Sequence, residues 1–148
     1  MREFSASVLN ALAVPRFVDL DEERTAGRAC VWNGEPLRIE TAVDLGEQNG
    51  PAGTWFPRAS RQVVAERARR AVTAHVPMCP ECRAEDQADC ALGAELHRLV
   101  LVYTPVRYCS QCDRQIAPDE AYTTAQAQSG PGGATTYTHT RPCQRRRR

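Results

Sequence analysis

Two C-x-x-C turns, a shortage of large apolar side chains and two stretches of helical periodicity predict an α+β fold: small zinc-stabilised modules linked by two short helices. With 42% apolar and 25% charged residues, the 148-residue chain has a globular composition. Only 6% is aromatic, however, and Ala and Val dominate the apolar share. Such a sequence builds a shallow core. A structural zinc site, which can contribute on the order of 10 kcal/mol or more to folding, would supply what the core lacks.

Residues 1–29 form an N-terminal segment with an apolar stretch from Ala6 to Val14, a break at Pro15 and a charged run without clear period. Residues 30–74 begin with Cys30, pass through the turn signals Asn33-Gly34 and Asn49-Gly50-Pro51, and should hold short strands, Leu37-Arg38-Ile39 among them. The clearest helix then runs from Arg61 to His75. Val63, Val64, Ala68, Ala71 and Val72 recur at helical spacing, Ser60 is the N-cap candidate and Pro77 ends the run.

Residues 75–104 contain the knuckle Cys79-Pro80-Glu81-Cys82, an acidic loop to Asp89, Cys90, and a second helix expected from about Ala91 to Val102 on Leu92, Leu96, Leu99 and Val100. Residues 105–148 open on Cys109-Ser110-Gln111-Cys112, continue through a Gln-, Ser-, Gly- and Thr-rich hairpin tip from Ala125 to Thr136, and close on the basic tail Arg145 to Arg148. An internal echo relates two of these segments. Cys30-Val31-Trp32-Asn33 aligns with Cys109-Ser110-Gln111-Cys112 so that Leu37, Glu40 and Ala42 fall on Ile116, Asp119 and Ala121. Asn33 stands where the second copy has a thiol, so the first copy reads as a degenerate unit with Cys30 left to the core.

Zinc takes four ligands in a tetrahedron, and two thiols separated by two residues can reach one ion at ~2.3 Å. The C-terminal quartet is Cys109, Cys112, His139 and Cys143. Its knuckle, hairpin and second ligand pair resemble a treble-clef finger. The central set has Cys79, Cys82 and Cys90 and needs a histidine. His75 precedes Cys79 by the same H-x-x-x-C spacing that joins His139 to Cys143, which favours it. His97 is the alternative fourth ligand. Were Cys90 and His97 both inside one helix they would lie about 10 Å apart along its axis, against ~4 Å between ligands of one ion, so His97 serves only if the helix begins after Cys90. The expectation is two zinc ions per chain, with an iron–sulfur cluster on Cys79, Cys82 and Cys90 as the other metal chemistry open to these thiols.

Function classes narrow accordingly. A closed quartet leaves no open metal position for hydrolysis, and the deaminase, H-E-x-x-H, phosphate-loop and G-x-S-x-G signatures are all missing, so a non-enzymatic module without a small-molecule substrate is expected. Net charge is +1, so any nucleic-acid contact must be local. Arg67, Arg69 and Arg70 in the first helix, and Arg145, Arg146, Arg147 and Arg148 in the tail, are the candidate phosphate contacts. Nucleic acid and a protein are the two candidate partners, with a regulatory nucleic-acid role preferred over an adaptor and a thiol redox switch as a third reading. No apolar run is long enough to span a membrane and the start lacks a signal-peptide pattern, which points to a cytoplasmic protein whose thiols stay reduced.

The nineteen basic residues are all Arg, a bias of high-GC coding that points to an actinobacterial source. The combination of Cys30-Val31-Trp32, Ala42-Val43-Asp44-Leu45-Gly46-Glu47, Trp55-Phe56-Pro57-Arg58-Ala59, His75 to Cys82 and Cys90 resembles a group of small Cys-rich, zinc-finger-like actinomycete proteins of unknown function. Residues 28–100 carry the likeness. It implies a zinc-finger-like architecture and no particular activity. Asn33, Ser60 and Val63 depart from the group's C-V-W-C and P-R-A-C-x-x-C pattern, whereas the central set matches it.

Overall fold

The computed structural model describes residues 4–85, 88–117, 120–126 and 134–143. The chain divides into two compact units, Met1–Thr104 and Pro105–Arg148. The first mixes short helices and strands, and the second, among the described residues, is built of strands alone.

In the first unit, helix α1 (Ala6–Ala11) starts at Ser5, whose hydroxyl accepts the Val8 N–H. A single 3-10 turn (Phe17–Asp19) and helix α2 (Glu22–Thr25), capped by the Asp21 carboxylate, lead into the Cys30 turn. Four minimal strands follow, β1 (Val43–Asp44), β2 (Gln48–Gly50), β3 (Gly53–Trp55) and β4 (Arg58–Ala59), with β2 pairing β3 as a hairpin and β1 pairing β4 around it, both antiparallel. Leu37-Arg38-Ile39, expected as a strand, is turn and coil instead. Ile39 is largely exposed, so its β-propensity finds no neighbour to pack against.

Helix α3 (Arg61–His75) is the element the sequence marks most clearly, and the Ser60 hydroxyl caps it by accepting the Val63 N–H at 3.4 Å. Its buried residues Val64, Ala68 and Ala71 lie on one stripe. A 3-10 turn (Val76–Met78) and the single-turn helix α4 (Pro80–Arg83) carry the chain through the knuckle to helix α5 (Ala91–Tyr103). Helices α3 and α5 pack together, and α1 joins them: Val8 and Leu12 bury with Ala68, Ala71, Leu96 and Leu99. A second cluster gathers Leu9, Cys30, Val31, Val43, Leu45, Trp55, Ala59 and Val64. The N-terminal apolar stretch is thus shared between both clusters, and the Trp32 indole N–H donates to the Ala13 carbonyl at 3.0 Å.

In the second unit, β5 (Arg107–Tyr108) pairs β6 (Gln115–Ile116) across the Cys109 knuckle, and β7 (Tyr122–Gln126) pairs β8 (Thr135–His139) in an antiparallel hairpin. Most of the expected hairpin tip falls outside the described residues. The buried core here is Cys109, Cys112 and Ile116, with Tyr137 and Cys143 packed on it. Its core is made largely of thiols.

The echo seen in the sequence is present in the backbone. At one constant offset, Cys30 N–H to Glu35 carbonyl (2.8 Å) matches Cys109 N–H to Arg114 carbonyl (2.9 Å), and Gly34 N–H to Cys30 carbonyl (2.8 Å) matches Asp113 N–H to Cys109 carbonyl (2.9 Å). Val31 N–H to Arg58 carbonyl (2.9 Å) likewise matches Ser110 N–H to Tyr137 carbonyl (2.8 Å). The turn residues Gly34 and Asp113 share the left-handed conformation, with φ of 72° and 57°, which glycine adopts freely and Asp tolerates. The hairpin strands differ in register by one residue.

Candidate metal centres

His75 ends α3, and from there the chain has only a 3-10 turn in which to reverse before Cys79. The Cys79 N–H bonds the His75 carbonyl at 3.0 Å, closing that reversal. Cys79 then sits at the start of α4 with Pro80 at its first position, where a missing N–H costs nothing. Cys90 is the N-cap of α5, and its sulfur accepts the Gly93 N–H at 3.3 Å. Three helix ends therefore deliver their residues to one point. The ligand atoms of His75, Cys79, Cys82 and Cys90 all lie within 4.8 Å of one another, an arrangement able to hold a metal ion. His75 Nε2 is 3.1 Å from the Cys90 sulfur, and the Cys82 and Cys90 sulfurs are 3.6 Å apart.

The thiols of this group are unequal as acids. The Cys82 backbone N–H holds the Cys79 thiol below its ordinary range. Cys82 is pushed up to about 11, because burial and the neighbouring Cys90 and Cys79 sulfurs together outweigh the larger single pull of the Cys90 N–H toward the thiolate. His97 is engaged elsewhere. Helix α5 does begin after Cys90, the condition His97 needed, yet the His97 ring meets Asp89, Nδ1 to Oδ2 at 2.7 Å, outside the group.

The second group comprises Cys109, Cys112 and Cys143, again with ligand atoms within 4.8 Å of one another. The knuckle turn brings the first two together, and the chain returning from β8 supplies Cys143, whose sulfur is 3.7 Å from that of Cys109. Burial pushes the Cys109 thiol up, but the backbone N–H groups of His139, Gln111 and Cys112 outweigh it and bring it down to about 6. Cys143 moves the other way, to about 11, through burial and the nearby Cys109 and Cys112 sulfurs. Among the described residues this group has three members, and His139 is not one of them. The His139 ring is 10% exposed and bonds Glu120, Nδ1 to Oε1 at 2.6 Å. Cys112, Cys143, His139 and Glu120 nevertheless line one groove of about 430 Å³, together with Arg114 and Arg141.

Each of the α3 arginines expected at phosphates has a partner within the first unit, though Arg69 and Arg70 are exposed side by side. Arg67 stacks over the Trp32 ring at 5.5 Å, Arg69 donates to the Thr104 hydroxyl at 3.4 Å, and Arg70 pairs Glu66 at 3.1 Å. Arg145 to Arg148 lie outside the described residues. Sequence reasoning missed a groove of about 750 Å³ in the first unit, lined in part by Leu9, Val14, Phe17, Gln48 and Trp55. Its residues come from distant segments with no shared motif, so no local signal could have revealed it. Among the described residues no helix is long and apolar enough to cross a membrane.

In comparisons with known protein families, curated proteins and solved structures, nothing matches the chain. Its chemistry has to be read from the two Cys clusters themselves.

Proposed function

We propose that the chain is a zinc-binding, non-catalytic module whose metal ions fix the fold and whose partner is nucleic acid in a regulatory role. The observation that carries the metal part is the convergence of His75, Cys79, Cys82 and Cys90 within 4.8 Å. One nitrogen and three sulfur donors suit a tetrahedral structural zinc site. A full set of four leaves no position at which water could be activated, which is the support for a binding role over hydrolysis. The knuckle and hairpin of the second unit support a treble-clef-like reading of its architecture.

Metal analysis of protein purified without added zinc tests the proposal. We expect about two zinc ions per chain, as two structural sites require; protein that folds with none would overturn it. Cys82 and Cys90 are close enough that oxidation is the obvious competing chemistry. A redox switch would show reversible disulfide formation with metal release, and the presence of an imidazole in the group favours the metal.

Arg69 and Arg70 are exposed on α3 but each already has an intramolecular polar partner, so the nucleic-acid reading leans on the tail. Phosphate contacts make affinity fall steeply with salt, with a slope of roughly 0.9 per contact on duplex DNA. Deleting residues 144–148 should therefore flatten the salt dependence of DNA binding by roughly 3–4 units. An absence of binding at low salt would favour the protein-adaptor reading instead.

A further inference from the structure

We infer that Glu120 is the positioning residue of the second metal centre: its carboxylate holds His139 so that the ring's Nε2 becomes the fourth donor beside Cys109, Cys112 and Cys143. This rests on the metal-binding reading of those three thiols.

The ring is already constrained from several sides. Its Nδ1 meets Glu120 Oε1 at 2.6 Å, which leaves Nε2 as the nitrogen free to complete the three-sulfur group; the ring stands just outside that group and, unlike His97, faces one that lacks a fourth member among the described residues. Glu120 is itself anchored, because its other oxygen accepts the Ala117 N–H at 3.2 Å. The His139 backbone is held as well, by strand pairing opposite Tyr122 and by the neighbouring Thr140 N–H, which bonds the Ala121 carbonyl at 3.2 Å. The strand that carries His139 bridges Cys109 at Tyr137, and the His139 ring shares a groove with Cys112 and Cys143.

A metal bound by three thiolates still seeks a fourth donor. Histidines that ligate metals commonly donate their second ring N–H to a carboxylate, which fixes the tautomer and raises the basicity of the ligating nitrogen. The Glu120–His139 pair has that form. Among the remaining residues of this unit only Asp119 has a side chain of an ordinary ligand type outside the described residues.

Zinc competition with a chromophoric chelator, run on the full chain, tests the assignment, with the central site as internal control. Glu120→Ala should weaken zinc at the second site by roughly ten- to a hundredfold, and Glu120→Gln, which keeps an acceptor for the Nδ1 proton, should recover part of the loss. Long-range proton–nitrogen NMR of the zinc-loaded protein should show His139 protonated at Nδ1 and bare at Nε2. A proton on Nε2 in the loaded protein, an Asp119→Asn variant that loses zinc as fully as His139→Gln, or a Glu120→Ala affinity within about twofold of the native value would overturn the inference. Failure of the underlying metal reading looks different: Cys112→Ser would then bind as much zinc as the native chain.

Discussion

A methyl group at position 93 would place its carbon 2.6 Å from the Cys82 sulfur, so a side chain there displaces that sulfur from its place in the central group. Gly93→Ala should cost about 2 kcal/mol of zinc binding at the central site, roughly thirtyfold in affinity, measurable by chelator competition on a Cys112→Ser background. The two histidines give a sharper contrast. His75→Ala should reduce bound zinc to about one ion per chain, as expected when a structural site loses a ligand, whereas His97→Ala, which breaks only the contact with Asp89, should leave zinc content unchanged. Spacing alone pointed to His75, because H-x-x-x-C recurs at His139. What spacing could not convey is where a ring turns: the His97–Asp89 and His139–Glu120 contacts depend on loop paths that no periodicity encodes.

Helices were legible where punctuation and pattern agreed. Ser60, the Val64–Ala68–Ala71 stripe and Pro77 define α3 to the residue, and Ser60→Ala should destabilise the first unit by about 1 kcal/mol through loss of the cap, seen as a Tm drop of roughly 4–8 °C. Helix α1 was less visible because six residues are too few to display a period, and the two-residue strands fall below any alternation test. The repeated knuckle was readable as an alignment, and its hydrogen bonds show why: the turn geometry is the same with Asn33 at the position that Cys112 holds in the second copy. If that frame is intact, Asn33→Cys, Ser60→Cys and Val63→Cys together should give the first unit an additional zinc ion beside Cys30. Metal analysis and a cobalt(II) spectrum would detect it, and unchanged stoichiometry in a folded variant would show that the frame has closed over Cys30.

At the level of the whole molecule the units should respond differently to metal removal. The first has two apolar clusters built on residues such as Leu12, Leu45, Leu96 and Leu99. Among the described residues the second buries only Cys109, Cys112 and Ile116, two of them from the group that could hold a metal. Stripping metal with a chelator should therefore abolish amide-exchange protection in β5 to β8 while protection in α3 and around Leu45 persists, because binding free energy is folding free energy where the buried residues described are mainly those of the metal group. Equal loss in both units would contradict this. Lowering the pH should act in the same direction, since protons compete with metal for the thiolates.

Cys90 caps the start of α5 and also belongs to the central metal group, while Leu96 and Leu99 of that helix bury with Leu12, the C-cap of α1. Metal occupancy and the seating of the N-terminal helix are then reciprocally linked quantities, each shifting the other by the same free energy. A change as remote from any sulfur as Leu12→Ala, which empties a buried site at a cost of about 2–5 kcal/mol, should register as an apparent metal-affinity defect, and raising free zinc should restore the lost helix contacts.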